Sequence, residues 1–216
     1  SSNRDVEILT LPSGPGVRLY RPTDRPDPVP ALVWVHGGGY VIGTAAQDDD
    51  LCRRYVRHLG IAVASVDYRL APEHPYPTPL EDCYRVLGWL AKLPWVDPER
   101  IVIGGASAGG GLAAALAFVA RDRGEVAPVL QLLSYPMLDD RTVDPGLDRR
   151  SFRLWNAGSN RFGWTAYLGD ADPDTAVPAR RDDLAGLPPA WIGVGTLDLF
   201  HDEDLAYAAR LAAAGV

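Results

Sequence analysis

The chain has 216 residues, 47% of them apolar and 23% charged, with a net charge of −7 at pH 7. That balance excludes a disordered or low-complexity chain, and the length can bury a sizeable core without disulfide staples. The acidic charge argues against a general nucleic-acid binder, and no apolar run approaches the ~20 residues of a membrane-spanning helix.

Residues 6–11 and 17–21 read as extended stretches joined by Pro12-Ser13-Gly14-Pro15-Gly16, which is turn chemistry, so a hairpin is expected. A proline-rich link follows. Ala31-Leu32-Val33-Trp34-Val35 is then a continuous apolar run of strand length, the pattern of a strand buried on both faces. A helix over about 48–59 closes at Gly60, a good residue for a left-handed helix end. Next come a strand at 61–66, a helix at about 80–93, a short strand at 101–103, an Ala/Leu helix at about 108–123 closed by Gly124, and a strand at 129–134. From 139 to 189 the apolar periodicity weakens, and Trp155, Trp164 and Tyr167 stand among polar and turn residues; a short helix-bearing, cap-like insertion is expected there. A strand at 191–195 and a helix at 202–214 close the series. Strand alternating with helix predicts βαβ units: an α/β fold in one domain over 1–216, with a mostly parallel central sheet and helices on both faces. Cys52 and Cys83 fit no metal or redox spacing and read as reduced structural thiols. Ser1-Ser2-Asn3-Arg4 leads into the first strand without a charged-then-apolar leader, which is read as cytoplasmic placement.

The strongest chemical signal is Gly105-Ala106-Ser107-Ala108-Gly109, a G-x-S-x-G between a predicted strand and a predicted helix. A sharp strand-to-helix turn forces the central serine into a strained backbone conformation and lifts its hydroxyl out of the sheet. Side chains at Gly105 or Gly109 would collide across that turn. The helix start adds free N–H groups and a positive dipole end beside Ser107. The second signal is His36-Gly37-Gly38-Gly39-Tyr40, directly after the strand at 31–35. Three glycines leave backbone N–H groups uncovered, as the oxyanion of an acyl-transfer intermediate requires. His36 itself is expected to anchor this loop rather than act as a base. Asp198 lies in the loop after the strand at 191–195, at the sheet edge where ligands of open α/β sheets bind. Its order after the serine suits the acid of a Ser…Asp…His series. Asp202, Glu203 and Asp204 fall in the first turn of the next helix and are explained as N-terminal charge and capping.

Taken together with Asp67-Tyr68-Arg69-Leu70-Ala71-Pro72-Glu73, with 184–190 and with Asp198-Leu199-Phe200-His201-Asp202-Glu203, these motifs resemble the hormone-sensitive-lipase-like carboxylesterases of the α/β-hydrolase superfamily, over about 17–216. The resemblance implies a serine esterase with Ser107 as nucleophile, Asp198 as triad acid, and an oxyanion hole made by the N–H groups of Gly38, Gly39 and Ala108. It implies a small-molecule ester substrate and no metal or organic cofactor, and leaves a homodimer open. Tyr40, Trp155 and Trp164 are candidate walls of the substrate pocket. Arg69 and Glu73 are expected to hold buried loops by ion-paired hydrogen bonds, with His74 in the same structural role. Two departures stand out: Leu199 where the family usually has Pro after the acid, and Ala106 where many members carry Asp before the nucleophile.

A triad needs an imidazole between acid and serine. The four histidines are His36, His58, His74 and His201, and none is expected in that place. The resemblance puts the triad histidine one strand further on, beyond Val216, and the N-terminal cap helices before Val6, so the chain is expected to be truncated at both ends. Two other readings stay open on the same fold. Plant gibberellin receptors resemble these esterases, keep the serine and the acid, lack the histidine, and bind ligand without catalysis. Amidases and formamidases share the glycine loop and triad.

Overall fold

The computed structural model describes residues 6–12, 14–142 and 154–216. Seven strands form one sheet: β1 (Glu7–Thr10), β2 (Gly16–Tyr20), β3 (Val29–Val35), β4 (Ala62–Asp67), β5 (Val96–Ala106), β6 (Leu130–Ser134) and β7 (Ala190–Gly193), in the spatial order β1-β2-β4-β3-β5-β6-β7. β1 and β2 form the expected antiparallel hairpin, and β2 also runs antiparallel to β4; every pair from β4 to β7 is parallel. The helices are α1 (Asp49–Leu59), α2 (Thr78–Leu90), α3 (Ala108–Arg123), α4 (Ala157–Leu168), α5 (Pro173–Ala176) and α6 (His201–Ala213).

The sheet has cores on both faces. Tyr20, Leu32, Trp34, Cys52 and Val63 form a small one beneath α1. The larger one buries α2, α3 and α6 through Leu87, Leu112, Leu116, Tyr207 and Leu211. α1 and α3 both end at a left-handed glycine, Gly60 (φ 64°) and Gly124 (φ 66°), as their sequences require. Both cysteines are free and buried.

β5 is much longer than the apolar triplet at 101–103. Its first half carries the exposed Pro98, Glu99 and Arg100, which hide a strand from any reading based on apolar runs. Pairing continues there because Val29 of β3 meets Val96, with a register shift before Ala31 meets Ile101. β7 is shorter than expected, ending at Gly193, so the loop carrying Asp198 begins sooner. Between β6 and β7 lie α4 and α5; residues 143–153 of the expected cap-like insertion fall outside the described residues.

The parallel register decides where chemistry can sit. Val35 pairs with Gly105, Ala106 with Ser134, and Ser134 with Gly193. The chain therefore leaves β3, β5, β6 and β7 at one edge of the sheet.

Candidate active site

β5 ends at Ala106 and α3 begins at Ala108, so Ser107 alone turns the chain. Its backbone lies at φ 55° and ψ −121°, a region that L residues enter at a cost of ~1–3 kcal/mol and only when their surroundings impose it. Three hydrogen bonds impose it. The Ser107 N–H donates to the Ser134 carbonyl at 3.0 Å, and the Ser107 carbonyl accepts from the N–H groups of Gly111 at 3.0 Å and Met137 at 2.8 Å. The flanking glycines are steric necessities: a Cβ at Gly105 would strike the Gly109 carbonyl, and one at Gly109 would strike that of Val35. Ser107 is half-buried, and its hydroxyl has no hydrogen-bond partner among the described residues.

The glycine loop leaves β3 beside this turn. A Cβ at Gly37 would lie 3.0 Å from the Ala106 carbonyl oxygen. Gly38 (φ 132°) and Gly39 (φ 58°) hold conformations suited to glycine, and side chains there would run into the Ile42 carbonyl and the Trp155 indole. Among the described residues the N–H groups of Gly38 and Gly39 donate no hydrogen bond. Ala108 opens α3, where the N–H has no partner within the helix. Three unused backbone donors thus stand on the segments that flank the Ser107 hydroxyl.

His36 anchors this loop. It is buried, its Nδ1 lies 2.7 Å from the Gly37 carbonyl oxygen, and its ring stacks on Tyr68 at 4.3 Å. The Tyr68 hydroxyl donates to the His36 carbonyl at 3.0 Å. Burial pushes the imidazole below its ordinary pKa. Trp155 is half-buried, lies over Gly39 and donates from its indole N–H to Asn160 at 3.1 Å. Tyr40 and Trp164, expected as candidate pocket walls, are buried, at 1% and 2% exposure. Tyr40 stacks on Tyr167 at 4.1 Å and tilts against Trp164 at 5.2 Å, so α4 is bound to the glycine loop through an aromatic core.

Asp198 sits between β7 and α6, half-buried. One carboxylate oxygen accepts the Phe200 N–H at 2.9 Å, and its carbonyl accepts the His201 N–H at 3.2 Å, so the residue shapes the start of α6. β6 alone separates its strand from that of Ser107. No histidine ring hydrogen-bonds to its carboxylate among the described residues: the His201 ring pairs with Asp202 at 2.8 Å, the His36 ring is tied to Gly37, and His58 and His74 are exposed.

Two acidic residues overturn their expected role. Asp202 is exposed, as N-terminal charge should be, but Glu203 and Asp204 are buried, at 8% and 0% exposure. Glu203 accepts the N–H groups of Leu138 at 2.6 Å and Asp139 at 3.1 Å, together with the Thr142 hydroxyl. Neither oxygen of Asp204 has a partner among the described residues. Burial pushes Glu203 up to about 8, against the pull of its three donors, and pushes Asp204 up to about 9, with Glu203 and Asp198 adding to the rise. The signal for this lay in helical spacing: Glu203, Asp204, Tyr207 and Leu211 line one buried face of α6. Arg69 behaves as expected, pairing through two nitrogens with the fully buried Asp82 at 2.6 and 3.0 Å. Glu73 and His74 do not; both are exposed.

Residues 32–216 match a family model described as an alpha/beta hydrolase fold. Among curated proteins, the chain is 38% identical to the esterase LipI of Mycobacterium tuberculosis, over 95% of this chain and 68% of that protein. It is 40% identical to the carboxylic ester hydrolase LipN of the same organism, over 98% of this chain and 60% of that protein. The structure of a bacterial heroin esterase superposes with a TM-score of 0.89 at 40% identity, covering 100% of this chain and 74% of the other. The chain therefore belongs to the hormone-sensitive-lipase-like carboxylesterase family of the α/β-hydrolase superfamily.

Proposed function

We propose that the protein hydrolyses carboxylic esters of small molecules through an acyl-enzyme formed on Ser107. The observation that carries this reading is the Ser107 turn itself: a strained serine with an unengaged hydroxyl, next to a glycine loop with unused N–H groups. In the first half-reaction the Ser107 oxygen bonds to the ester carbonyl carbon as its proton passes to a base. The carbonyl oxygen becomes an oxyanion and accepts from Gly38, Gly39 and Ala108. Collapse breaks the bond to the alkoxy oxygen, which leaves as the alcohol with the proton from the base. Water repeats the sequence on the acyl-enzyme, releasing the carboxylic acid and restoring Ser107. Removal of one such oxyanion donor typically costs ~10²–10³-fold in kcat.

Asp198 is the acid that orients the base. The base in this reading is an imidazole other than those of His36, His58, His74 and His201, since none of these rings hydrogen-bonds to the Asp198 carboxylate or to Ser107 among the described residues. Trp155, lying over Gly39, forms a wall of the substrate site. Relatives at 38–40% identity carry esterase names, which favours ester hydrolysis over a receptor role. A fluorophosphonate probe with peptide mapping tests the reading: label is expected on Ser107, and none on a Ser107→Ala variant. Label on another serine rejects it.

A further inference from the structure

The segment that follows β6 joins several parts of the fold. The Met137 N–H donates to the Ser107 carbonyl at 2.8 Å, and the Met137 carbonyl accepts the hydroxyl of Tyr40, from the glycine loop, at 3.3 Å. The Leu138 carbonyl accepts the Ala179 N–H at 3.1 Å. The next two N–H groups, of Leu138 and Asp139, converge on one carboxylate oxygen of Glu203, and the Thr142 hydroxyl takes the other. Glu203 stands in the first turn of α6, immediately after the loop that carries Asp198. No step of the proposed hydrolysis uses it.

We infer that Glu203 is a positioning residue for the esterase chemistry: by gripping the backbone of Leu138 and Asp139, it holds the Asp198 loop in register with the Ser107 turn. The inference rests on the reading of Ser107 as nucleophile and Asp198 as acid, and deepens it. The connection is continuous. Asp198 shapes the start of α6 through the Phe200 N–H, α6 carries Glu203, Glu203 fixes Leu138, and the adjoining Met137 fixes the Ser107 carbonyl. Both oxygens are engaged, so the carboxyl group cannot rotate without breaking a bond. Its site is buried, so water does not readily replace it as acceptor for the two N–H groups. A cation site is not the alternative, because no group of three His, Cys, Asp or Glu among the described residues is placed to hold a metal ion. Acyl transfer is sensitive to this kind of registration: a displacement of ~1 Å in a reacting group can cost on the order of 10²-fold in rate.

The test compares Glu203→Ala, Glu203→Asp and Glu203→Gln in the full-length protein, with kcat and KM measured separately on p-nitrophenyl butyrate and thermal melts run in parallel. Glu203→Ala is expected to lower kcat by roughly 10²-fold and Glu203→Asp, one methylene short of its partners, by roughly tenfold, both with KM nearly unchanged. Glu203→Gln keeps an acceptor oxygen for the two N–H groups and is expected to stay within about fivefold of the native kcat. A folded Glu203→Asp variant with native kcat overturns the inference, as does a Glu203→Gln variant as impaired as Glu203→Ala. If Glu203→Ala does not fold, the other two decide it by the Asp outcome and by the expected activity of Gln. Fluorophosphonate mapping of the native protein is read separately. Label away from Ser107 rejects the nucleophile assignment, whereas label on Ser107 together with native kcat in Glu203→Asp rejects only the positioning role.

Discussion

A Cβ at Gly37 would stand 3.3 Å from the Ser107 Cβ, so the glycine loop and the nucleophile turn press together across the ends of β3 and β5. The contact leaves the loop little room to move without disturbing the turn. Gly38→Ala is therefore expected to lower kcat by about 10²-fold or more, because φ 132° is hostile to alanine and its methyl would meet the Ile42 carbonyl. The check is ester turnover by a variant with a native circular dichroism spectrum. Near-native kcat would mean that this loop does not carry the oxyanion donors.

The acid assignment separates two neighbouring carboxylates. Asp198→Asn is expected to reduce kcat by roughly 10⁴-fold, since an amide cannot hold a catalytic imidazole in its working tautomer. Asp202→Asn is expected to leave kcat within about twofold, because Asp202 is exposed and, among the described residues, pairs only with His201. Equal losses in the two variants would show that the acid has been misplaced.

The base assignment is testable with residues 1–216. With no imidazole on Asp198 or Ser107, their turnover of p-nitrophenyl acetate is expected to fall on the order of 10⁶-fold below that of an intact triad. Added imidazole should raise the rate in a Ser107-dependent way, with no gain in Ser107→Ala. A substantial rate without imidazole that disappears in His201→Ala would make His201 the base.

Asp204 gives a stability prediction. Its carboxyl group is fully buried with neither oxygen paired, and its pKa rises from 3.8 to about 9. The folded protein therefore holds a proton that the unfolded chain releases above pH ~4. The associated stability is fully present below that pH and is lost as pH rises toward about 9; Glu203, raised to about 8, acts in the same direction. Asp204→Asn removes one of these two titrations. It is expected to raise Tm at pH 8 by several degrees, at roughly 2–4 °C per kcal/mol, and to flatten the decline in Tm between pH 5 and 9. A Tm that rises with pH over that range, or an unaltered slope in the variant, contradicts the burial argument.

What the sequence determined by itself is local and steric. The apolar runs at 31–35 and 61–66 are long enough to require burial on both faces. Gly105 and Gly109 permit a sharp strand-to-helix turn at Ser107, and the three glycines after His36 leave backbone N–H groups uncovered. These features depend on neighbours a few residues away, so order along the chain carries them. The tertiary structure decided the features that depend on what distant segments bring. Glu203 and Asp204 have the same local signature as Asp202, acidic residues opening a helix, yet the helix lays one face on the segment after β6 and buries two of the three. Tyr40 follows the glycine loop like a pocket residue, but the arrival of α4 turns it into core against Trp164 and Tyr167. Pro98, Glu99 and Arg100 belong to a strand because β3 is there to pair with its start. In each case the residue's own chemistry allows two environments, and the choice is made by packing between segments tens of residues apart.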